Sequence, residues 1–326
     1  MCLKRTTPTI GQITRSVLNP WTLSRLVYNQ LLDYTGVRRV QRFVAACCGF
    51  PKNLTTSPTV RNSFGDDAYF IARHHTADVL GVADGVGGWR SYGIDPSRFA
   101  RSLMSTCAQL VTKGQFIPQL PDELMAASYQ ALRNGYCSDQ SSSRSQTAIF
   151  GSSTACIVVL DRSSSQLYAA NLGDSGFLLL RNGRIVHRSK VQQHYFNAPF
   201  QLTLMPGRNA EKFIGDGPES ADVRSFTVQS GDCIVLATDG LFDNMPLQLI
   251  EKEMARLDSF EPLAVQRVCS SIAYQARLLS SNTTYLSPFA KKAQLQGFNT
   301  VGGKPDDITV ILAVVTAVER EATDSI

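Results

Sequence analysis

Short apolar runs recur along most of the chain and are separated by polar turn residues. Runs of four to eight residues bounded by Gly, Asp, Asn or Ser are typical of β-strands. We therefore predict strands in AYFIA (68–72), VLGVA (79–83), TACIVVL (154–160), QLYAANL (166–172), GFLLL (176–180), RSFTV (224–228), CIVLA (233–237) and ITVILAVV (308–315). The Asn-Gly pair inside LLLRNGRIV predicts a tight hairpin between two strands.

Four other segments repeat their apolar residues at helical spacing. Residues 95–111 begin with Asp, Pro and Ser, and residues 121–134 carry Pro and two acids in the first turn. Both beginnings are typical of helix N-termini. Residues 246–257 and 261–279 predict a second helical pair.

The order of these elements predicts an α+β fold. Strands that follow one another as hairpins indicate antiparallel sheets rather than repeated βαβ units. Two such sheets, packed face to face with a helical pair outside each, account for the whole pattern. We expect one domain with a central antiparallel β-sandwich flanked by helical pairs, in four layers ordered α-β-β-α.

Charge divides the chain into a basic leader and a slightly acidic remainder. The first 60 residues hold eight Lys and Arg against one acid, Asp33, whereas the whole chain has a net charge of +5. A leader with few acids, many Thr and Ser, and spaced arginines is typical of an organellar import signal. We predict a mitochondrial transit segment at 1–59, a domain at 60–318 and a tail at 319–326. The protein is cytoplasmic if the leader is not an import signal.

Composition limits the partners of the domain. It has no basic stripe for nucleic acid, and no apolar run reaches the ~18 residues that span a bilayer. The eight cysteines form no CxxC pair, which favours free thiols. We expect a monomer without a transmembrane segment and without a nucleic-acid partner.

Carboxylates stand at the ends of several predicted strands. They are Asp66, Asp67, Asp84, Asp239, Asp306 and Asp307, and glycine follows both Asp84 and Asp239. A single Asp-Gly pair is most often only a turn. The repetition instead predicts a shared site for a hard divalent cation, which carboxylate and carbonyl oxygens bind. Gly85 would let the backbone turn a carbonyl towards that cation, and the bare Gly87 and Gly88 would leave room for a substrate.

Six motifs together resemble the metal-dependent serine/threonine protein phosphatases of type 2C. They are DDA, VADGVGG, GSSTACIVVL, ANLGDSG, LATDGLFDN and DDITVIL, and they occur in the family's order across residues 60–315. DGVGGW and NAPFQL resemble the mitochondrial branch of that family. The resemblance implies a β-sandwich flanked by helical pairs that hydrolyses phosphoserine and phosphothreonine in phosphorylated proteins.

The resemblance also implies a ligand set for two Mg²⁺ or Mn²⁺ ions. Asp84 would bridge the two ions, and Gly85 would add its carbonyl. Asp239 and Asp306 would bind one ion, and Asp66 would serve the other. Two such ions acidify a water and clamp the phosphoryl oxygens, so no protein nucleophile is required.

Asp67 and Arg61 are the expected catalytic side chains besides the ligands. By resemblance, Asp67 would hydrogen-bond a metal-bound water that attacks phosphorus in line. Many family members have a phosphate-binding Arg at the place of Asn62, so the neighbouring Arg61 is our candidate here.

Other departures from the family pattern leave an alternative open. Val86 stands where many members have a His proposed as general acid, and no acid precedes GSSTA to hold a third metal. Asp174 lies in GDSG without the Arg that often follows, which favours a structural role. The alternative is a catalytically weak, phosphatase-like protein that binds or regulates a partner. The intact acid set favours the enzyme.

Overall fold

Two five-stranded sheets lie at the centre of the fold. The computed structural model describes residues 39–53, 64–139, 149–205 and 214–319. The first sheet has the order β1 (Arg39–Phe50), β14 (Ile308–Glu319), β13 (Cys233–Ala237), β7 (Gly176–Arg181) and β8 (Arg184–Arg188). The second has the order β12 (Asp222–Thr227), β6 (Gln166–Leu172), β5 (Ala155–Asp161), β3 (Ala77–Ala83) and β2 (Ala68–Arg73). All four pairings of the second sheet are antiparallel.

Helices cover the outer face of each sheet. The α-helices are α1 (Pro96–Thr112), α2 (Pro121–Asp139), α3 (Asp239–Phe242), α4 (Leu247–Met254), α5 (Pro262–Ser280) and α6 (Pro288–Leu295). Among the described residues, 3-10 helices span Gly87–Tyr92 and Pro218–Ser220. Short strands complete the described structure as β4 (Gly151–Ser153), β9 (Gln193–Tyr195), β10 (Ala198–Pro199) and β11 (Leu202–Leu204). Among the described residues, each helix is too short or too polar to cross a membrane.

Strand alternation explains why the predicted runs are continuously apolar. In β5, Ile157 and Val159 pack against the helices, whereas Val158 and Leu160 lie in the core between the sheets. Successive side chains of a strand point to opposite faces, so a strand buried on both faces has no polar position.

Three apolar clusters fill the spaces between the layers. One joins α1 and α2 to the second sheet, and another joins α4 and α5 to the first. The third lies between the two sheets and contains Leu80, Phe177, Leu236 and Ile311. The predicted four-layer α-β-β-α sandwich is therefore confirmed, together with all eight strands and four helices of the sequence pattern.

Strand β1 lies in the part of the chain that the sequence analysis assigned to the leader. It forms the edge of the first sheet beside β14, and Phe43 is 2% exposed within the core. Residues Val40–Val318 group as one compact unit, so the folded unit begins earlier than residue 60. Of the predicted transit segment at 1–59, residues 1–38 and 54–59 lie outside the described residues, as does the tail after Glu319.

Candidate metal centre

The antiparallel register brings four strand ends to one rim of the sandwich. Ala68 at the start of β2 pairs with Ala83 at the end of β3, so Asp66 and Asp84 come out at the same edge. Ala237 at the end of β13 pairs with Val310 in β14, which places Asp239 near Asp306. The convergence predicted from the sequence is therefore present in the structure.

These carboxylates line one cavity of about 650 Å³, which we call the acidic basin. The basin is defined by Asp66, Asp84, Gly85, Gly87, Gly88, Arg90, Asp174, Asp239, Lys304, Asp306 and Asp307. Six acids share it with two cations that approach them directly, Arg90 and Lys304. No histidine occurs among the described lining residues, in keeping with Val86 at the place of the family's histidine.

Asp84 and Asp239 form the centre of the basin. Their carboxyl groups lie close enough for the charge of one to act on the other. Burial and the neighbouring charge of Asp239 raise the pKa of Asp84 well above its ordinary value. Burial alone would also raise the pKa of Asp239, but the charge of Lys304 and its hydrogen bond lower it. Two carboxyl groups held this close require a shared proton or a cation between them.

Asp306 and Asp174 extend the acidic surface on either side of Asp239. Burial and the charge of Asp239 raise the pKa of Asp306 to about 6 and the pKa of Asp174 to about 7. Asp174 lies in the turn between β6 and β7, where Gln193 Nε2 donates to its Oδ2 at 3.0 Å. Its other oxygen, Oδ1, is buried without a protein partner.

Asp67 is 3% exposed and does not line the basin, but its charge acts on Asp84. The hydroxyls of Thr238 and Thr309 both donate to its Oδ2 at 2.8 Å. Its Oδ1 is buried without a protein partner. Burial and the charge of Asp307 raise the pKa of Asp67 well above its ordinary value.

Asp66 is held at the mouth of the basin by an ion pair. Both of its oxygens accept from the guanidinium of Arg90, whose side chain is 60% exposed. Asp307 fixes the backbone beside it, because its two oxygens accept from the amides of Asp66 at 2.8 Å and Lys52 at 2.5 Å. Asp307 thus has a structural role in positioning Asp66.

Gly85 is required by its surroundings. A Cβ at this position would lie 2.6 Å from the carbonyl oxygen of Pro96 and 2.8 Å from that of Asp66. The chain is fixed here by hydrogen bonds from Val86 N to Ser152 O and from Thr154 N to Asp84 O, each 3.0 Å. Any larger residue at 85 would move Asp84 from the centre of the basin.

Gly87 and Gly88, unlike Gly85, lie in open surroundings. A Cβ at either position would meet no atom within 4 Å. These glycines therefore leave open space at the rim, as the sequence pattern predicts. The adjacent Trp89 is 6% exposed, and its Nε1 donates to Ser152 Oγ at 2.6 Å, which anchors the rim.

The donor set of the basin fits a hard divalent cation. It consists of carboxylate oxygens, with buried, unpartnered oxygens on Asp67 and Asp174. Among the described residues, however, no three acidic, histidine or cysteine side chains already stand at the mutual distances of a formed metal site. Ion pairs occupy several of these carboxylates, since Lys304 contacts Asp239 and Asp306 and Arg90 contacts Asp66. A bound cation would have to replace these contacts.

The structure groups the five residues predicted as metal ligands in one cavity: Asp66, Asp84, Gly85, Asp239 and Asp306. Arg61 lies outside the described residues, so its role stays a prediction. Sequence reasoning missed Arg90, Lys304 and Asp243. Two of them had a signal, since Arg90 follows the glycine turn directly and Lys304 lies two residues before Asp306.

Comparisons with known proteins agree with this geometry. The family model for protein phosphatase 2C matches residues 56–279. A protein phosphatase PTC7 homolog from Xenopus laevis is 50% identical over 273 residues, which cover 83% of this chain and 89% of the relative.

Solved structures show the same fold. The photosystem II phosphatase PBCP matches 85% of this chain and 100% of its own, with a TM-score of 0.70 and 27% identity. The catalytic domain of the phosphatase PstP, solved in complex with 2 manganese ions, matches 86% of this chain and 100% of its own. Its TM-score of 0.50 and its 14% identity establish a likeness of fold alone.

Proposed function

Because the chain belongs to the protein phosphatase 2C family, we propose that the acidic basin is the active site at which it hydrolyses phosphoserine and phosphothreonine. The chain is a metal-dependent protein serine/threonine phosphatase, and its substrates are phosphorylated proteins. The observation that carries the site assignment is the convergence of Asp66, Asp84, Asp239 and Asp306 on one cavity.

Two divalent cations are the cofactors we assign to the basin. Asp84 would hold both, Gly85 would add its carbonyl, Asp239 and Asp306 would complete one position, and Asp66 would serve the other. When bound, such ions lower the pKa of a water and neutralise the phosphoryl oxygens. The manganese ions of PstP agree with Mn²⁺ as an ion of this chain, and carboxylate and carbonyl oxygens suit Mg²⁺ equally.

Asp67 is the residue we assign to the attacking water. Two threonine hydroxyls fix its Oδ2, which leaves Oδ1 as the acceptor for a water hydrogen. An oriented water attacks phosphorus in line with the leaving Ser or Thr oxygen, and positioning of this kind provides much of phosphoryl-transfer catalysis.

Arg90 is the cation we assign to the substrate phosphate. Its guanidinium lies at the mouth and is largely exposed, and it would be released to a phosphoryl group when a cation replaces its ion pair with Asp66. Arg binds phosphate through two parallel N–H donors, so it suits a phosphoryl group entering over Gly87 and Gly88. Arg61, the candidate from the sequence, stays a second prediction for this role.

Activity of the full chain tests the site. We expect hydrolysis of a phosphothreonine peptide with Mn²⁺ or Mg²⁺, and loss of at least about 100-fold in kcat for Asp84→Ala and Asp239→Ala. Asp222→Ala is the matched control, because Asp222 lies on β12 and pairs with Arg224 outside the basin. Full turnover in excess chelator, or by Asp84→Ala, would contradict the assignment. A folded protein that binds phosphopeptide without turnover would favour the alternative of a regulatory protein.

Mitochondrial import is a separate proposal that rests on the basic, acid-poor segment before β1. A fluorescent protein fused after residue 38 should enter mitochondria, and substitution of Arg5, Arg15 and Arg25 by Glu should abolish entry. A diffuse cytosolic signal of the unmodified fusion would reject mitochondrial import.

Sedimentation of the mature chain tests the expected monomer.

A further inference from the structure

Lys304 is a buried cation surrounded by three carboxylates of the basin and its border. Its Nζ donates to Asp239 Oδ2, lies 2.9 Å from Asp243 Oδ2 and lies 3.2 Å from Asp306 Oδ2. Its side chain is only 16% exposed. Two of the three partners, Asp239 and Asp306, are the proposed ligands of one metal ion.

The backbone of Lys304 is fixed independently of its side chain. Its amide donates to Asn244 Oδ1 at 2.8 Å, and its carbonyl accepts from Asn244 Nδ2 at 2.9 Å. Asn244 is fully buried and also donates to Gly240 O. The ammonium can therefore change partners while the peptide remains in place.

Lys304 has a second set of contacts that includes neither of the proposed ligands. Asp243 accepts from Lys304 and from Lys292, and the Phe289 ring centroid is 5.2 Å from the Lys304 ammonium. A carboxylate and an aromatic face are both favourable for an ammonium group. Lys304 keeps these partners if it leaves Asp239 and Asp306.

We propose that Lys304 is a built-in counter-cation that neutralises Asp239 and Asp306 in the metal-free protein and is displaced towards Asp243 when a divalent cation binds. The inference rests on the proposed function only in that Asp239 and Asp306 hold a metal ion. Lys304 then stabilises the metal-free fold and lowers the affinity for metal, because each binding event must break its ion pairs and bring two cations close together.

Neutral variants of Lys304 measure this competition. We expect Lys304→Met to bind Mn²⁺ at least about tenfold more tightly in calorimetric titration, and to unfold at a lower temperature without metal. Lys304→Gln should behave similarly and keeps a hydrogen-bond donor if the Met variant folds poorly. Lys304→Arg keeps the charge and should retain an affinity close to that of the unmodified chain.

Lys292→Met is the matched control. Lys292 contacts Asp243 at 3.3 Å but neither Asp239 nor Asp306, and its side chain is 44% exposed. Its loss should change Mn²⁺ affinity by less than about twofold, since exposed ion pairs contribute little. If Lys292→Met changed Mn²⁺ affinity as much as Lys304→Met, the gain would come from the loss of any nearby positive charge, and the proposal would be overturned.

The unmodified chain provides a test that needs no variant. Displacement by Mn²⁺ should leave the Lys304 amine with one carboxylate partner instead of three. Its acetylation by a limiting reagent, read by peptide mass spectrometry, should therefore rise several-fold relative to that of Lys292. Equal labelling with and without Mn²⁺, or unchanged Mn²⁺ affinity of the neutral variants, would overturn the role of Lys304. Absence of any Mn²⁺ binding to the unmodified chain would instead defeat the proposed function.

Discussion

At the scale of single residues, the orientation of Asp67 depends on two hydroxyl groups. Thr238 and Thr309 come from different strand ends, yet both donate to the same carboxylate oxygen at 2.8 Å. Thr238 Oγ1 also accepts from the amide of Thr309 at 3.1 Å, so the three residues form one buried network. The network leaves a single oxygen of Asp67 without a protein partner. In the proposed mechanism this oxygen accepts from the attacking water, and the two threonines are positioning residues.

Thr309→Val should therefore lower kcat without an equal change in KM. Valine has the shape of threonine but lacks the donor, so Asp67 loses one of two hydrogen bonds while the packing is kept. We expect kcat to fall about tenfold, as an interaction worth about 1–2 kcal/mol is removed. Steady-state kinetics with a phosphothreonine peptide measure it. Thr309→Ser should restore most of kcat, and failure of serine to do so would contradict the positioning role.

Arg90→Ala should act mainly on substrate binding. Loss of the guanidinium at the mouth removes a bidentate phosphate partner, and we expect KM for a phosphopeptide to rise about tenfold. Arg90→Lys should recover only part of this, because an ammonium lacks the planar pair of donors. Arg224→Ala, on β12 outside the basin, is the control. An unchanged KM in Arg90→Ala would remove Arg90 from the substrate site.

At the scale of elements, β1 is joined to both sheets. It lies in the first sheet, but the amide of Phe43 donates to Asp78 Oδ2 of β3, in the second sheet, at 2.7 Å. Asp78 also accepts from Arg162, and both side chains of this pair are almost fully buried. A buried carboxylate thus connects the edge strand to the opposite layer.

Arg162→Met should destabilise the protein strongly with little effect on catalysis. The substitution leaves Asp78 buried without its cation, which costs about 3–5 kcal/mol in comparable pairs. Urea unfolding measures it, with Arg184→Met as control, since Arg184 reaches Glu251 only at 3.5 Å and is 80% exposed. We expect kcat at low temperature to stay within about twofold of the unmodified value. Equal stability of the two variants would show that the Asp78 pair does not hold β1.

Elements buried on both faces were the easiest to predict from the sequence. Strand β13 has no polar position and β5 has one, Asp161 at its end. Asp84 and Asp239 likewise mark the places where polar groups resume after a buried strand. Strand β1 was missed because its arginines continue the composition of the basic leader. Lys304 was missed for a different reason: local pattern places a lysine near an acid but does not tell which distant carboxylates it will meet.

At the scale of the whole molecule, the fold separates its apolar and its charged groups. The core between the sheets holds large side chains such as Leu80, Phe177 and Ile311, whereas one rim collects six carboxylates. Apolar burial favours folding, and mutual repulsion of the buried acids opposes it. Without a divalent cation, the balance therefore depends on how many of these acids are protonated, and hence on pH.

Asp174 offers the clearest test of this balance, because its pKa of about 7 lies far above the unfolded value of about 3.9. The folded state favours the protonated form of Asp174. The stability that Asp174 contributes is therefore fully present below about pH 4 and is lost as the pH rises through 7. Asp174→Asn stays neutral and keeps an oxygen for Gln193. In chelator we expect it to melt about 2–5 °C above the unmodified protein at pH 8 and equally at pH 4.5.

Asp161→Asn is the control for that prediction, and its melting temperature at pH 8 should change in the opposite direction. Burial by itself would raise the pKa of Asp161, but hydrogen bonds from the hydroxyl and amide of Ser163 and from the hydroxyl of Ser164 lower it below its ordinary value. A depressed pKa contributes stability above the unfolded value, so the asparagine variant should melt lower at pH 8. Saturating Mn²⁺ should shrink the gain of Asp174→Asn, since the cation neutralises the repulsion, and should leave Asp161→Asn unaffected. If Asp174→Asn melts no higher at pH 8, the charge at this rim is not what limits the metal-free fold.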